Sequence, residues 1–301
     1  MVKFTRILCP IDLSELSMRP LAYAAAMATW HDARLTALHV VPTFEPMEVR
    51  AGALFDPVQM VYPMPRENVL ERLREMLATA GVPVDTADVA AEAGDAAPTI
   101  VDQAVATNAD LLVMGTHGRT GFNRLLLGSV TEKVLRQAPC PVLTVPPHAP
   151  AVPTGVAIRH VLCAIDFSPA SEQALGFALG IAQRAGASLT LLNAIEWLPE
   201  EEPAEPTTFN VVEYREHLKQ LARDRLAALV ADPHARPTPT MLVVTGRAHR
   251  EILRLAEERE ADLIVMGSTG RGGPVLTPFG TTTQQVVRSA TCPVLTARAP
   301  V

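Results

Sequence analysis

Apolar positions along this chain come in short unbroken runs that alternate with longer stretches of helical period. Ile7–Ile11 is such a run, apolar except for Pro10, and continuous burial of this kind fits a strand covered on both faces. Leu21, Ala24, Ala25 and Ala28 then recur at helical spacing. Ser14 or Ser17 is the expected cap of that helix, and Pro20 is tolerated because it falls in the first turn. Arg34–Val41 reads as a second strand. Over Arg66–Ala80, Val69, Leu70, Leu73 and Leu77 share one helix face until Gly81 stops it. Val82–Ala91 is the expected third strand. Asp95 is the expected cap of a helix that turns Ile100, Val101 and Val105 inward. Asp110–Met114 reads as a fourth strand, Val130, Val134 and Leu135 line one more helix, and Cys140–Val145 reads as a fifth strand.

The whole order then repeats. Ile7 to Ser14 matches Val161 to Ser168, Leu35 to Val41 matches Leu189 to Ile195, and Ala138 to Thr144 matches Ala290 to Thr296. The offset is 154 residues at Asp12 and Asp166 and 152 at Gly115 and Gly267, so one short deletion separates two copies of a duplicated unit. The expected layout is a domain over 1–146, a proline-rich linker over 147–157 and a second domain over 158–301. Strand–helix alternation implies parallel sheets with helices on both faces, joined by right-handed crossovers. The expected fold class is therefore α/β, two doubly wound five-stranded parallel-sheet domains in tandem, with strand order 3-2-1-4-5.

Two segments do not read as regular structure. Residues 42–64 hold four prolines among Phe44, Met47, Phe55, Met60 and Met64, and suit a lid, an interface or a loop over its own domain. Residues 197–210 carry Glu200, Glu201, Glu202 and Glu205 and read as a solvated acidic loop.

The candidate chemistry lies where the fourth strand ends. Gly115, Gly118, Gly128 and Ser129 follow the apolar run Leu111–Met114, and Gly267, Gly270, Gly280 and Thr281 repeat the spacing after Ile264–Met266. Glycine lets backbone approach a ligand closely. A loop of main-chain amides leading into a helix N-terminus is a ready anion site. In a doubly wound sheet, ligands sit at the carboxyl ends of strands where the order reverses. Asp12 and Asp166, just past the first strand of each copy, would face the same crevice. A carboxylate repels phosphate, so either would hold ribose hydroxyls or adenine N–H donors, or else serve as a turn or cap residue. Arg119 and Arg271 sit at matching loop positions, to screen phosphate charge or to be solvated. His117 is expected exposed and His39 packed on its strand.

The bulk properties narrow the classes. With 301 residues, 48% hydrophobic content and a net charge of −6, two ordinary cores are affordable and a nucleic-acid surface is disfavoured as the main function. No run approaches the ~18–20 apolar residues of a membrane span, and the short apolar run after Met1 does not suit a secretory leader. The expectation is a soluble cytoplasmic protein with neither nucleic-acid nor membrane partners. The cysteines Cys9, Cys140, Cys163 and Cys292 fall at corresponding positions of the copies without metal spacing, and read as buried small apolar residues.

On these residues the chain resembles a tandem universal stress protein, over nearly its full length, with the G-x2-G-x9-G-[ST] pattern of that family's ATP-binding branch. The resemblance implies an adenine nucleotide alpha hydrolase-like fold and ATP, with Mg²⁺ where the nucleotide brings it. It implies that Asp12 contacts ribose or adenine, that Pro10 and Val40 border the base, and that Gly115, Gly118, Gly128 and Ser129 wrap the phosphates beside Arg119 and Val130. In the second copy Asp166, Ala194, Gly267, Gly270, Gly280, Thr281 and Thr282 take these places. There Ala164 replaces the proline, and Pro274 and Pro278 remove two backbone donors, so weaker or different occupancy is expected. Edge strands that pair across the two domains, as an intrachain pseudo-dimer with a further homodimer, are also implied. The function implied is nucleotide-dependent regulation of a stress response, with slow ATP hydrolysis at most. No G-x-x-x-x-G-K-[ST] lysine is present. A weak ATPase and a ligand-free dimeric interaction protein are the alternatives.

Overall fold

The computed structural model describes residues 3–43, 64–117, 127–150, 157–196, 211–230, 237–270 and 279–299. Both irregular segments, apart from residues 42, 43 and 64, lie outside these ranges, as do Gly118, Arg119 and Arg271.

The first half runs β1 (Arg6–Pro10), α1 (Met18–His31), β2 (Arg34–Val41), α2 (Arg66–Thr79), β3 (Ala87–Ala93), α3 (Ala96–Ala106), β4 (Leu111–Gly115), α4 (Ser129–Gln137) and β5 (Val142–Val145). The second half repeats it as β6 (His160–Ala164), α5 (Pro169–Ala185), β7 (Ser188–Ile195), α6 (Val211–Leu229), β8 (Thr240–Thr245), α7 (Ala248–Glu258), β9 (Leu263–Gly267), α8 (Thr281–Ser289) and β10 (Val294–Ala297). Each half has the strand order 3-2-1-4-5, all parallel. The fifth strands then pair antiparallel, Leu143 opposite Leu295, so the halves share one ten-stranded sheet. Pairing the two edges removes unsatisfied ladder groups that would otherwise seek a partner. Thr144 and Thr296, both buried, add reciprocal hydroxyl bonds to the Val294 and Val142 carbonyls at 3.1 and 3.3 Å.

Helices α1, α2, α5 and α6 cover one face and α3, α4, α7 and α8 the other, each over a core that runs through both halves. On the first face, Phe4 stacks on Phe177 at 5.5 Å between ring centres, and Arg184 donates to the Trp30 carbonyl at 3.3 Å. The first contact ties the segment before β1 to α5, and the second ties α1 to α5, both across the halves.

Three local expectations shift. The third strand begins at Ala87, because Pro83 leads into a single 3-10 turn over Val84–Thr86. The fifth strand begins at Val142, after Pro141, whose ring leaves no amide for the ladder. On α3 the buried face is Ala97, Ile100 and Ala104, and Val105 is 59% exposed. Two alanines carry that contact, and their small size hid it in the apolar pattern. Asp95 stands at the N-cap position of α3 without a side-chain cap bond.

Candidate functional site

The carboxyl ends of β1 and β4 are neighbours, since the two strands pair directly. Past β1 the chain turns sharply. Leu13 and Phe167, the residues after the two aspartates, both take left-handed backbone at φ 64° and 62°. Bulky residues avoid that region, and such conformations collect at sites where surroundings impose them. The aspartates impose this one. Asp12 Oδ1 accepts from the Ser14 amide at 3.0 Å and from the Ser14 and Ser17 hydroxyls at 2.6 Å each. Asp166 Oδ1 accepts from the Ser168 amide at 3.0 Å and its hydroxyl at 2.6 Å. Ser14 and Ser17, expected as caps, thus serve the carboxylate, and α1 is entered through a 3-10 turn over Glu15–Ser17 with no side-chain cap. Ser168 does cap α5, through the Ser171 amide at 3.3 Å.

Past β4 and β9 the loops close onto the next helix in the same way twice. The Gly128 amide donates to the Thr116 carbonyl at 2.8 Å, and Gly280 to Ser268 at 2.7 Å. Two buried threonines then reach back from the helices. Thr131 Oγ1 donates to the Gly115 carbonyl at 2.8 Å, and Thr283 Oγ1 to Gly267 at 2.9 Å. The first main-chain bonds of α4 and α8 are Glu132 to Gly128 and Gln284 to Gly280, each 2.9 Å. The amides before them, at residues 129–131 and 281–283, precede any intrahelical partner, and neither helix has a side-chain cap. That arrangement presents donors, with the positive end of the helix dipole behind them, to an anion.

In the second half these elements surround a cavity of about 770 Å³. Asp166, Ala194, Gly267 and Gly270 line it, and Gly280, Thr281 and Thr282 close its helix side. The second-copy counterparts of the first-copy glycines, aspartate and helix-start residues therefore line one space. Leu192 and Met266 add apolar lining, as does Leu221 of α6, beside Arg225 of the same helix. The Arg225 guanidinium sits 4.0 Å over the Phe167 ring. A side chain at Gly270 would come within 2.8 Å of Asp166 Oδ2, and one at Gly267 within 2.9 Å of the Ser171 amide. The loop therefore touches both the carboxylate and α5, and glycine is what permits it.

The first half places its residues alike. Pro10 ends β1, Val40 lies near the end of β2, Gly115 ends β4, and Gly128, Ser129 and Val130 enter α4. His117 is half-buried beside the Thr116 hydroxyl at 2.9 Å, not exposed as expected. His39 is half-buried and bonded to the Ile11 carbonyl at 2.6 Å. All four cysteines are buried and free. Burial pushes the Cys9, Cys140 and Cys292 thiols up to about 12, and Cys163 upward as well. Such thiols stay protonated and make neither nucleophiles nor metal ligands. Among the described residues no group of three His, Cys, Asp or Glu could hold a metal ion, and no helix is long and apolar enough to cross a membrane.

Sequence reasoning passed over Thr131, Thr283, Leu13, Phe167 and Arg225. The threonines had a signal, three residues after the last loop glycine in both copies. The left-handed residues had none, because Leu and Phe give no hint of positive φ.

Comparison with known proteins adds a family to this geometry. The model of the Universal stress protein family matches residues 3–146 and again 157–298. A universal stress protein of Mycolicibacterium smegmatis is 30% identical over 300 residues, covering 97% of this chain and 96% of that protein. One from Methanocaldococcus jannaschii is 33% identical over 142 residues, 47% of this chain and 82% of its own length. Among solved structures, a universal stress protein from Archaeoglobus fulgidus superposes with a TM-score of 0.64 at 22% identity, covering 99% of this chain and 97% of that one. At that identity the likeness concerns the fold.

Proposed function

The chain belongs to the universal stress protein family, and from that premise we propose that it binds ATP and works as a nucleotide-dependent regulator of a stress response. The observation that carries this reading is the convergence, in the second half, of Gly267, Gly270, the uncapped start of α8 and the Asp166 turn on one cavity, with the Asp12 turn and the uncapped start of α4 built alike in the first half. The cavity is about 770 Å³, a size suited to a small organic ligand. Asp12 and Asp166 would hold ribose hydroxyls through the carboxylate edge turned away from their serines. Pro10 and Val40, and Ala164 and Ala194 in the second half, would border the base. Gly115, Gly118, Gly128 and Ser129, with Arg119 and Val130, would wrap the phosphates, as would Gly267, Gly270, Gly280, Thr281 and Thr282. Mg²⁺ would arrive on the phosphate oxygens and spread their charge.

Two domains, 1–146 and 158–301 joined by 147–157, are part of this reading, with cytoplasmic residence and a further homodimer. Occupancy is unequal: Pro274 and Pro278 cost the second loop two donors. Turnover is slow at most, because nothing in the sequence supplies the phosphate-gripping lysine of P-loop enzymes. Mass spectrometry of the freshly isolated, denatured protein is expected to release adenine nucleotide, and calorimetry with ATP to show saturable binding. Absence of both would leave only the duplicated scaffold. A phosphate-release assay separates binding from catalysis.

A further inference from the structure

Each half interrupts its β-ladder at the same rung. Pairing of β1 with β2 ends at Pro10 opposite Leu38, and the Ile11 amide still donates to the Leu38 carbonyl at 2.7 Å. In a parallel ladder the next bond would run from the Val40 amide to the Ile11 carbonyl. Among the described residues the Ile11 carbonyl is instead taken by the side chain of His39, whose Nδ1–H donates to it at 2.6 Å. The second half does the same with different chemistry. The Ile165 amide donates to Leu192 at 2.8 Å, and the Ile165 carbonyl accepts from Asn193 Nδ2 at 2.8 Å.

Backbone alternation fixes what this leaves behind. Leu38 turns its polar groups toward β1, so Val40, two residues on, does too, whereas the Val41 carbonyl faces β3 and accepts from Gly94 at 3.0 Å. The Val40 amide therefore points past the end of β1 toward the aspartate turn. Ala194 is placed alike, and it lines the cavity. A side-chain donor has replaced a main-chain donor, and the main-chain donor is directed at the ligand space.

We propose that His39 and Asn193 are positioning residues that hold the ladder open by one rung. By clamping the Ile11 and Ile165 carbonyls they keep the Val40 and Ala194 amides available to a nucleobase, and they anchor the turn that carries Asp12 and Asp166. Without the clamp, the isoleucine carbonyl swings to the nearest donor, the ladder zips by one bond, and the base edge loses its amide. The two halves satisfy the same requirement with imidazole and carboxamide, so the requirement is a donor of the right reach and not a titrating group. This inference rests on the nucleotide reading of the same site.

The test uses the full chain and ATP. His39→Leu is expected to weaken ATP binding at the first site about 10-fold, the effect of one unmade polar contact. His39→Asn, which copies the second half, is expected to restore binding to within about 3-fold of wild type. Asn193→Leu and Asn193→His form the matching pair for the second site. Without nucleotide, the Val40 amide is expected to gain protection from hydrogen exchange in His39→Leu and to stay unprotected in wild type and His39→Asn. Unchanged ATP binding and unchanged Val40 exchange in His39→Leu would overturn the clamp, as would an Asn variant no better than the Leu variant. Wild-type protein that does not bind ATP would overturn the nucleotide reading first, and this inference with it.

Discussion

Glu132 and Gln284 are the same position of the repeat, and they touch each other. Gln284 Nε2 donates to Glu132 Oε1 at 3.2 Å across the junction of the halves. The same oxygen accepts from Arg136 Nη2 at 2.7 Å. Each residue also closes the first turn of its helix on the loop glycine, Gly128 or Gly280, at 2.9 Å. The helices that follow the two glycine loops, α4 and α8, are thus joined at their first turns. A pair made of identical glutamates would repel here, and the divergence of one copy to glutamine removes that repulsion.

The pair predicts a charge dependence. Gln284→Glu sets two carboxylates against each other and is expected to cost on the order of 1 kcal/mol, seen as a fall of a few degrees in Tm. The double variant Glu132→Gln, Gln284→Glu exchanges the roles and is expected to recover part of that loss. Calorimetric scans of the single and double variants check this. Equal Tm values for wild type and Gln284→Glu would mean that the contact carries no weight.

Acid sensitivity follows from His31. This residue lies at the end of α1, 1% exposed, where its Nδ1 accepts from the Phe4 amide at 3.1 Å and its ring lies 4.8 Å from that of Phe4. Burial, then the charge of Arg184, hold its pKa down to about 4, against a small opposing pull from Asp110 and a further push from Lys3. The unfolded chain therefore binds this proton more readily than the folded one. Stability from neutral His31 is complete above the ordinary histidine pKa and drains away as the pH falls toward about 4. Urea unfolding is expected to lose about 2 kcal/mol between about pH 7.5 and about pH 5. His31→Asn keeps an acceptor for the Phe4 amide without titrating, and is expected to flatten that slope. An equally steep slope in the variant would place the acid sensitivity in other groups.

Much of this molecule was readable from residue pattern. The duplicated strand-and-helix order gave the sheet topology, because buried parallel strands leave unbroken apolar runs, as at Leu111–Met114. The residues that line the second-half cavity stood out in the sequence because glycine spacing and a repeated aspartate mark backbone demands that few other residues meet. What escaped lies where side chains do unusual work. Ala97 and Ala104 look indifferent yet form the inner face of α3, while Val105 looks buried and is not. Leu13 and Phe167 hide a left-handed turn. His39 and Asn193 share no chemical class, so alignment of the copies conceals their common bond.

The glycines that end β4 and β9 also matter for packing. A side chain at Gly267 would meet the Ser171 amide at 2.9 Å and Ala170 at 3.0 Å, all rigid parts of α5. At Gly115 the nearest contacts are the His117 carbonyl at 3.2 Å and Pro20 at 3.7 Å. Gly267→Ala is therefore expected to cost about 2–3 kcal/mol and Gly115→Ala about 1 kcal/mol, by overpacking. Chemical denaturation of the two variants measures this directly. A larger loss at Gly115 than at Gly267 would contradict the packing account.

Thr131 offers a way to separate loop geometry from ligand contact. Its hydroxyl is buried and donates to the Gly115 carbonyl at 2.8 Å, as Thr283 does to Gly267 at 2.9 Å. Each bond ties the end of the strand before the glycine loop to the first turn of the helix after it, which fixes the distance between the two. Thr131→Val keeps the shape and leaves that carbonyl without its donor, at about 1–3 kcal/mol. Thr131→Ser retains the hydroxyl and is expected to lose little. If this tie sets the spacing of the amides at the start of α4, the proposed ATP affinity at the first site should fall about 5-fold or more in Thr131→Val and recover in Thr131→Ser. Titration of both variants with ATP, alongside their Tm values, reads the two effects apart. A fall in Tm with ATP affinity unchanged would assign the hydroxyl to stability alone, and would mean that the amides hold their places without the tie.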